Sequence, residues 1–196
     1  VVDVLKLVIT DIDDTLVRTP IDWLKLRKNI ESITGVYIDY KPLIRGVFMY
    51  LDRELRELAL REIEKAELES AVAVNPSIPL RELVSNLKKC GCRVSVVTLR
   101  GRDSAVLTLR SLGIYDLVDL LVTRDDSMDR VEQLSLVLTK LGVSSREAVF
   151  MGDSPDDLEA LLKLHLSTIL IRQPSNLGVP EVTLRVLSQL AYACCM

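Results

Sequence analysis

Residues 8–17 read "VITDIDDTLV". An apolar run leads into Asp11, Asp13 and Asp14, and apolar residues resume after Thr15. Carboxylates this close repel one another and resist ionisation unless a positive partner sits among them. The preceding run, Val4–Thr10, is apolar and rich in β-branched residues. It reads as a strand buried on both faces, as in a parallel sheet. Acids at the end of such a strand lie where open α/β sheets bind ligands, beyond the carboxyl ends of the strands. Taken alone, they serve equally well as N-cap acids of a following helix. The rest of the chain has to decide.

Downstream, the pattern changes twice. Two helical stretches, Ile21–Ile33 and about Leu43–Ser70, follow Pro20, separated by "TGVYIDYKP" with only a weak strand signal. The second is dense in Leu, Arg and Glu, with many opposite charges at helical spacing. After Pro76 and Pro79 an alternation begins. Helices are expected at Leu80–Lys89, Ser104–Leu112, Arg130–Leu141 and Asp156–Leu164. Strands are expected at Arg93–Thr98, Leu117–Val122, Ala148–Met151 and Thr168–Ile171. Strand–helix alternation predicts an α/β fold, a parallel sheet with helices on both faces. Residues 1–17 and 77–196 would make this core, and 18–76 a helical insert after the first strand.

Composition narrows the classes. The chain has 196 residues, 48% of them hydrophobic but only 4% aromatic, so its core is built from Leu, Val and Ile. There are 25 basic and 28 acidic residues, net −3, with no Lys/Arg block, which argues against a nucleic-acid partner. No stretch reads as a membrane span or a signal peptide. Cys90, Cys92, Cys194 and Cys195 lack zinc-ligand spacing, and the chain has one histidine, His165, so neither a zinc site nor a Ser-His-Asp triad is credible. The cysteines suggest no disulfide framework, and a reducing, cytoplasmic setting is expected.

Each predicted strand ends in polar residues. The first is followed by Asp11, Asp13 and Asp14; "RVSVV" by Thr98, Arg100 and Gly101; "DLLV" by Thr123, Arg124, Asp125 and Asp126; "AVFM" by Gly152, Asp153, Ser154, Asp156 and Asp157. A parallel sheet gathers all of these on one edge. Mg²⁺ suits one to three carboxylates plus waters and would relieve their repulsion. A carboxylate can also attack phosphorus, and a second can shuttle the proton.

"DIDDT" (11–15), Thr98 after "VSVV", and "GDSPDD" (152–157) resemble, in order, the first, second and fourth motifs of the haloacid dehalogenase (HAD) superfamily. Arg130, by its spacing to "LTKLG", is similar to the third, with Arg124 as its rival. The resemblance covers nearly all of the chain outside the insert and is closest to the phosphoglycolate-phosphatase-like members. It implies a Rossmann-like three-layer core with a helical-bundle cap of the C1 type inserted at 18–76. It also implies a Mg²⁺-dependent phosphatase acting on a small phosphorylated metabolite. By the same resemblance Asp11 is nucleophile and metal ligand. Asp13 is general acid/base and offers its carbonyl to the metal. Thr98 and the Leu99 amide bind the phosphoryl group, Arg130 stabilises its charge, Asp153 ligates Mg²⁺, and Asp157 supports the metal site. Asp14 and Asp156 are read as structural.

The chain departs from the family pattern in two places. The third-motif residue is Arg rather than Lys and no proline follows it, and His165 stands where glycine often ends a helix. A phosphotransferase or mutase remains the enzymatic alternative. A receiver-type phosphorylation switch and a scaffold dimerising through the insert are the non-enzymatic ones. The switch normally carries its aspartate after the third strand and lacks a long helical insert.

Overall fold

The structure is a computed structural model that describes residues 4–154, 162–171 and 176–195. Strands β1 (Leu7–Thr10), β2 (Arg93–Val97), β3 (Leu120–Val122), β4 (Ala148–Gly152) and β5 (Ser167–Leu170) form one parallel sheet. Their order is β3-β2-β1-β4-β5. The first strand therefore lies in the centre, with Thr10 opposite Val96 on one side and Met151 on the other. Neighbouring residues of a strand point to opposite faces, and in β1 both faces are covered. Val8 packs with Leu80, Val84 and Leu87 of α4 (Ile78–Lys89) and with Ala105 and Leu109 of α5 (Arg102–Leu112). Leu7 and Ile9 pack on the opposite side with Leu134 and Val137 of α6 (Arg130–Leu141). This two-sided burial is why the strand's sequence shows no polar alternation.

Helix ends follow local chemistry. Asp129 caps α6 by accepting the Glu132 amide at 3.0 Å, and Gly142 ends it at φ 60°. His165 adopts φ 50°, the left-handed conformation anticipated where a glycine would be usual. The expected helix 156–164 falls mostly on residues outside the described ones.

Between β1 and α4 lie α1 (Trp23–Thr34), α2 (Leu43–Tyr50) and α3 (Arg53–Val72). They share an apolar cluster that includes Leu26, Ile30, Ile38, Val47, Ala59 and Ile63. The single helical stretch expected over 43–70 is two helices. Leu51 is extended (φ −104°, ψ 139°), and Asp52 starts α3 by accepting the Leu55 amide at 3.0 Å. An Asp inside a helical pattern is a start signal as much as a charged surface residue. Residues Val36–Ile38 form no strand. The far end of α3 packs on α5, and core residues Leu99 and Met128 pack against the insert's cluster.

Two further features differ from the sequence expectation. A further helix, α7 (Glu181–Cys195), follows β5 and lies on α4. Its buried positions Thr183, Leu187, Ala191 and Cys194 recur at helical spacing, a signal present in the sequence. The cysteines are also paired. Disulfides join Cys90 to Cys195 and Cys92 to Cys194, with Cα–Cα distances of 4.9 and 6.1 Å. The partners stand 105 and 102 residues apart in the chain, and only the docking of α7 brings them together. The expectation of a reducing setting therefore loses its support. Among the described residues, no helix is long and apolar enough to cross a membrane.

Candidate active site

Asp11 ends the central strand. Its amide donates to Met151 O at 2.9 Å, which ties the turn to β4. One carboxylate oxygen, Oδ1, accepts the Ile12 amide at 2.6 Å; the other is paired with an Arg130 guanidinium nitrogen. Both side chains are nearly buried, at 10% and 6% exposure, so the pair is little screened by solvent. Arg130 is itself held in place. Its Nη1 donates to Gln133 Oε1 at 2.9 Å, and the guanidinium stands 5.7 Å from the Phe150 ring centre.

Gln133, which the sequence reading passed over, is fully buried and donates to the carbonyls of Thr98 (2.9 Å) and Ser127 (2.8 Å). It thus ties α6 to the end of β2. Its signal was its place one helical turn after Arg130, on the same face. Thr98 accepts the Arg100 amide on its hydroxyl oxygen at 3.1 Å, so the O–H itself is left to donate toward a ligand. Leu99 follows, with its carbonyl taken by Arg124 at 3.1 Å.

Of the two candidate arginines, Arg130 reaches Asp11. Arg124 is drawn away to Glu67 on α3, Nη1 to Oε1 at 2.6 Å. Glu67 is 2% exposed and also accepts the Gly101 amide (3.2 Å) and the Ser104 hydroxyl (3.0 Å). A carbon added at Gly101 would stand 2.8 Å from an Arg124 nitrogen, so only glycine lets the arginine lie so close.

Asp13 is gripped by Arg100. The guanidinium Nε donates to Oδ2 and Nη2 to Oδ1, each at 2.7 Å. Thr19 adds a weaker contact at 3.3 Å. Burial works against the Arg100 charge, but Asp13, Glu67 and Asp11 outweigh it and raise the pKa above the usual arginine value. Asp14 points elsewhere. It sits at φ 53° in a tight turn, its amide donating to Val17 O at 3.0 Å, with Arg18 3.8 Å away.

Burial pushes the Glu67 carboxyl up, and the charges and hydrogen bonds of Arg124, Arg100 and Gly101 only partly offset it. A raised carboxyl pKa means that the folded chain holds the proton more tightly than the unfolded one. The resulting contribution is fully present below the unfolded value of about 4.3 and is lost as pH rises through the raised one. Urea unfolding of wild type and Glu67→Gln should therefore diverge in the wild type's favour as pH falls from neutral. A change in the variant's favour on acidification would contradict the shift.

Asp153 follows β4, two residues past the strand position that bonds Asp11, and is exposed. Asp11 and Asp153 stand at the ends of adjoining strands, although among the described residues no group of three acidic, His or Cys side chains is gathered closely enough to hold a metal ion. Carboxylate and carbonyl oxygens are the donors that the chain has here. Such a hard, all-oxygen set suits Mg²⁺ rather than zinc. Asp157 lies outside the described residues.

Residues 8–171 match the model of a family described as haloacid dehalogenase-like hydrolase. The chain is 34% identical over 82 residues to a pyrophosphatase PpaX of Bacillus velezensis, a match covering 40% of this chain and 38% of that one. It is 33% identical over 86 residues to a phosphoglycolate phosphatase of Pectobacterium atrosepticum, covering 42% and 37%. These matches thus span well under half the length of either relative. A HAD-superfamily hydrolase of subfamily IA from Geobacter sulfurreducens superposes with a TM-score of 0.62 at 21% identity, covering 96% of this chain and 97% of that one.

Proposed function

Because the chain belongs to the haloacid dehalogenase-like hydrolase family, we propose that it is a Mg²⁺-dependent phosphatase cleaving a small phosphomonoester through an aspartyl-phosphate on Asp11. The observation that carries this reading is the setting of Asp11. Its carboxylate lies at the end of the central strand against the permanently charged Arg130, with Thr98 and Asp153 at the ends of the two flanking strands.

That geometry is compatible with the roles that the family resemblance implies. Arg130 pairs with the Asp11 carboxylate and holds it in place as a nucleophile, and its own charge stabilises the phosphoryl oxygens. The Thr98 hydroxyl and the Leu99 amide hold the phosphoryl group in line. As Asp11 forms its bond to phosphorus, the ester oxygen leaves with a proton from Asp13. Asp13 then takes a proton from water as the water oxygen attacks phosphorus. Phosphate departs and the Asp11 carboxylate is restored. Asp11, Asp153 and the Asp13 carbonyl would hold Mg²⁺, which when bound neutralises charge on the transferring group. The helical insert at 18–76 acts as a cap that keeps bulk water out and selects the substrate.

A phosphometabolite screen with and without Mg²⁺ tests this reading. Phosphate release from at least one small monoester should appear with the metal and fall by more than about tenfold in excess chelator. No release from any ester, or release indifferent to chelator, would count against it. Replacing residues 18–76 with another helical cap should change the substrate preference while release persists.

A further inference from the structure

We infer that Arg100 is the positioning residue for Asp13, and that helix α3 of the insert fixes Arg100 in turn through the Glu67 carbonyl and the Ser70 hydroxyl. This rests on the reading of Asp13 as the proton carrier.

Asp13 lies on a loop just past β1, and its side chain is 31% exposed. Left alone, such a carboxylate would sample several rotamers. Here a bidentate fork from Arg100 fixes both oxygens at 2.7 Å. Two parallel N–H···O bonds set the plane of the carboxylate as well as its distance. Lysine, a point charge on a flexible stem, could not do so.

The guanidinium is itself immobilised from several sides. It is 2% exposed, and each of its nitrogens is bonded. Nη2 also donates to Thr19 at 2.9 Å and to Ser70 at 3.2 Å. Nη1 donates to the Glu67 carbonyl and the Ser70 hydroxyl, each at 3.2 Å, and more weakly to Thr108 at 3.4 Å. Glu67 and Ser70 belong to the insert and Thr108 to α5 of the core. Ser70 donates in turn to the Glu67 carbonyl at 2.7 Å, which stiffens this end of α3.

A buried guanidinium is costly to desolvate, and well-packed apolar residues often serve stability as well or better. What this arginine supplies that an apolar residue could not is direction. A shift of α3 relative to the core would turn the guanidinium plane, and the Asp13 carboxylate with it. The seating of the insert thereby bears on proton transfer through a chain of four hydrogen-bonded groups.

Misplacing Asp13 slows departure of the leaving group only where the leaving oxygen needs the proton; the later attack of water, common to all esters, does not enter kcat/KM. An alkyl ester such as β-glycerophosphate must have its leaving oxygen protonated, whereas p-nitrophenyl phosphate releases a stable phenolate unaided. The test compares kcat/KM for the two esters, with Mg²⁺, in wild type, Arg100→Lys, Ser70→Ala and Ser70→Thr. Arg100→Lys and Ser70→Ala should lose about 10- to 100-fold on β-glycerophosphate and less than about threefold on p-nitrophenyl phosphate. Ser70→Thr, which keeps the hydroxyl, should behave as wild type. Equal losses on both esters, or no loss on either, overturn the positioning role. Ser70→Ala keeps the arginine and its charge and removes only the hydroxyl that orients it, so the comparison survives if Arg100→Lys does not fold. A wild type that hydrolyses both esters without any change of ratio in the variants refutes Arg100 alone. A wild type that hydrolyses neither removes the phosphatase reading and this inference with it.

Discussion

Asp11→Asn should lower Mg²⁺-dependent phosphoester hydrolysis by at least about a thousandfold, since an amide cannot serve as the attacking group. The loss should fall on kcat, because the phosphate contacts of Thr98, Leu99 and Arg130 remain. Rapid acid quench of the wild type turning over a labelled monoester should trap label on the protein, and the variant should trap none. Comparable rates in the two proteins would remove the covalent mechanism. Stability should move as well. Asp11 pairs with Arg130 on the inside of the fold, and removing one partner of a buried pair leaves the other uncompensated, at a cost of about 3–5 kcal/mol. Asparagine retains an acceptor oxygen, so the lower end is expected. Circular dichroism at the assay temperature separates the chemical loss from any unfolding.

Breaking both disulfides should destabilise the protein by about 4 kcal/mol, whereas breaking either one alone should cost little. The reason is topological. Each bridge closes a loop of about a hundred residues, worth up to about 4.7 kcal/mol in a chain-entropy account. The spans 90–195 and 92–194 nearly coincide, so once one is closed the other adds almost no further constraint. Urea titrations of Cys195→Ser, Cys194→Ser and the double variant read this out directly. Additive losses would show that each bridge acts through local packing instead. Under oxidising conditions a thiol count on the unfolded wild type should be zero; four free thiols would show that the pairs do not form in solution.

Much of the site was legible because its residues sit where strands stop. Asp11, Thr98 and Asp153 each follow a strand whose apolar run the sequence announces, and a parallel sheet then places them together. Arg130 was legible through the charge deficit that it answers. Arg100 was placed at the same edge but without its partner, and Glu67 and Gln133 were not singled out. Each is a polar residue whose meaning comes from a partner far away in the chain. Glu67 in particular lies among so many surface Glu and Arg residues of α3 that its burial leaves no local trace. The disulfides were missed for the same reason. Adjacent cysteines at 194 and 195 gain partners only once α7 docks on α4. The break at Leu51–Asp52 was a local signal that the strong helical composition around it masked.

The central place of β1 also has a consequence for how the chain is made. Its four residues are at most 2% exposed in the finished fold, yet its two partner strands begin at Arg93 and Ala148. At synthesis rates of about 5–20 residues per second, β1 waits about 7–28 seconds for the second of them. Through that interval an apolar strand with two open edges stands unpaired in the nascent chain, the kind of template on which other chains aggregate. The insert can fold meanwhile from local contacts, but it covers neither edge. Yield in expression should therefore depend on chaperone supply and temperature more than the stability of the finished protein would suggest.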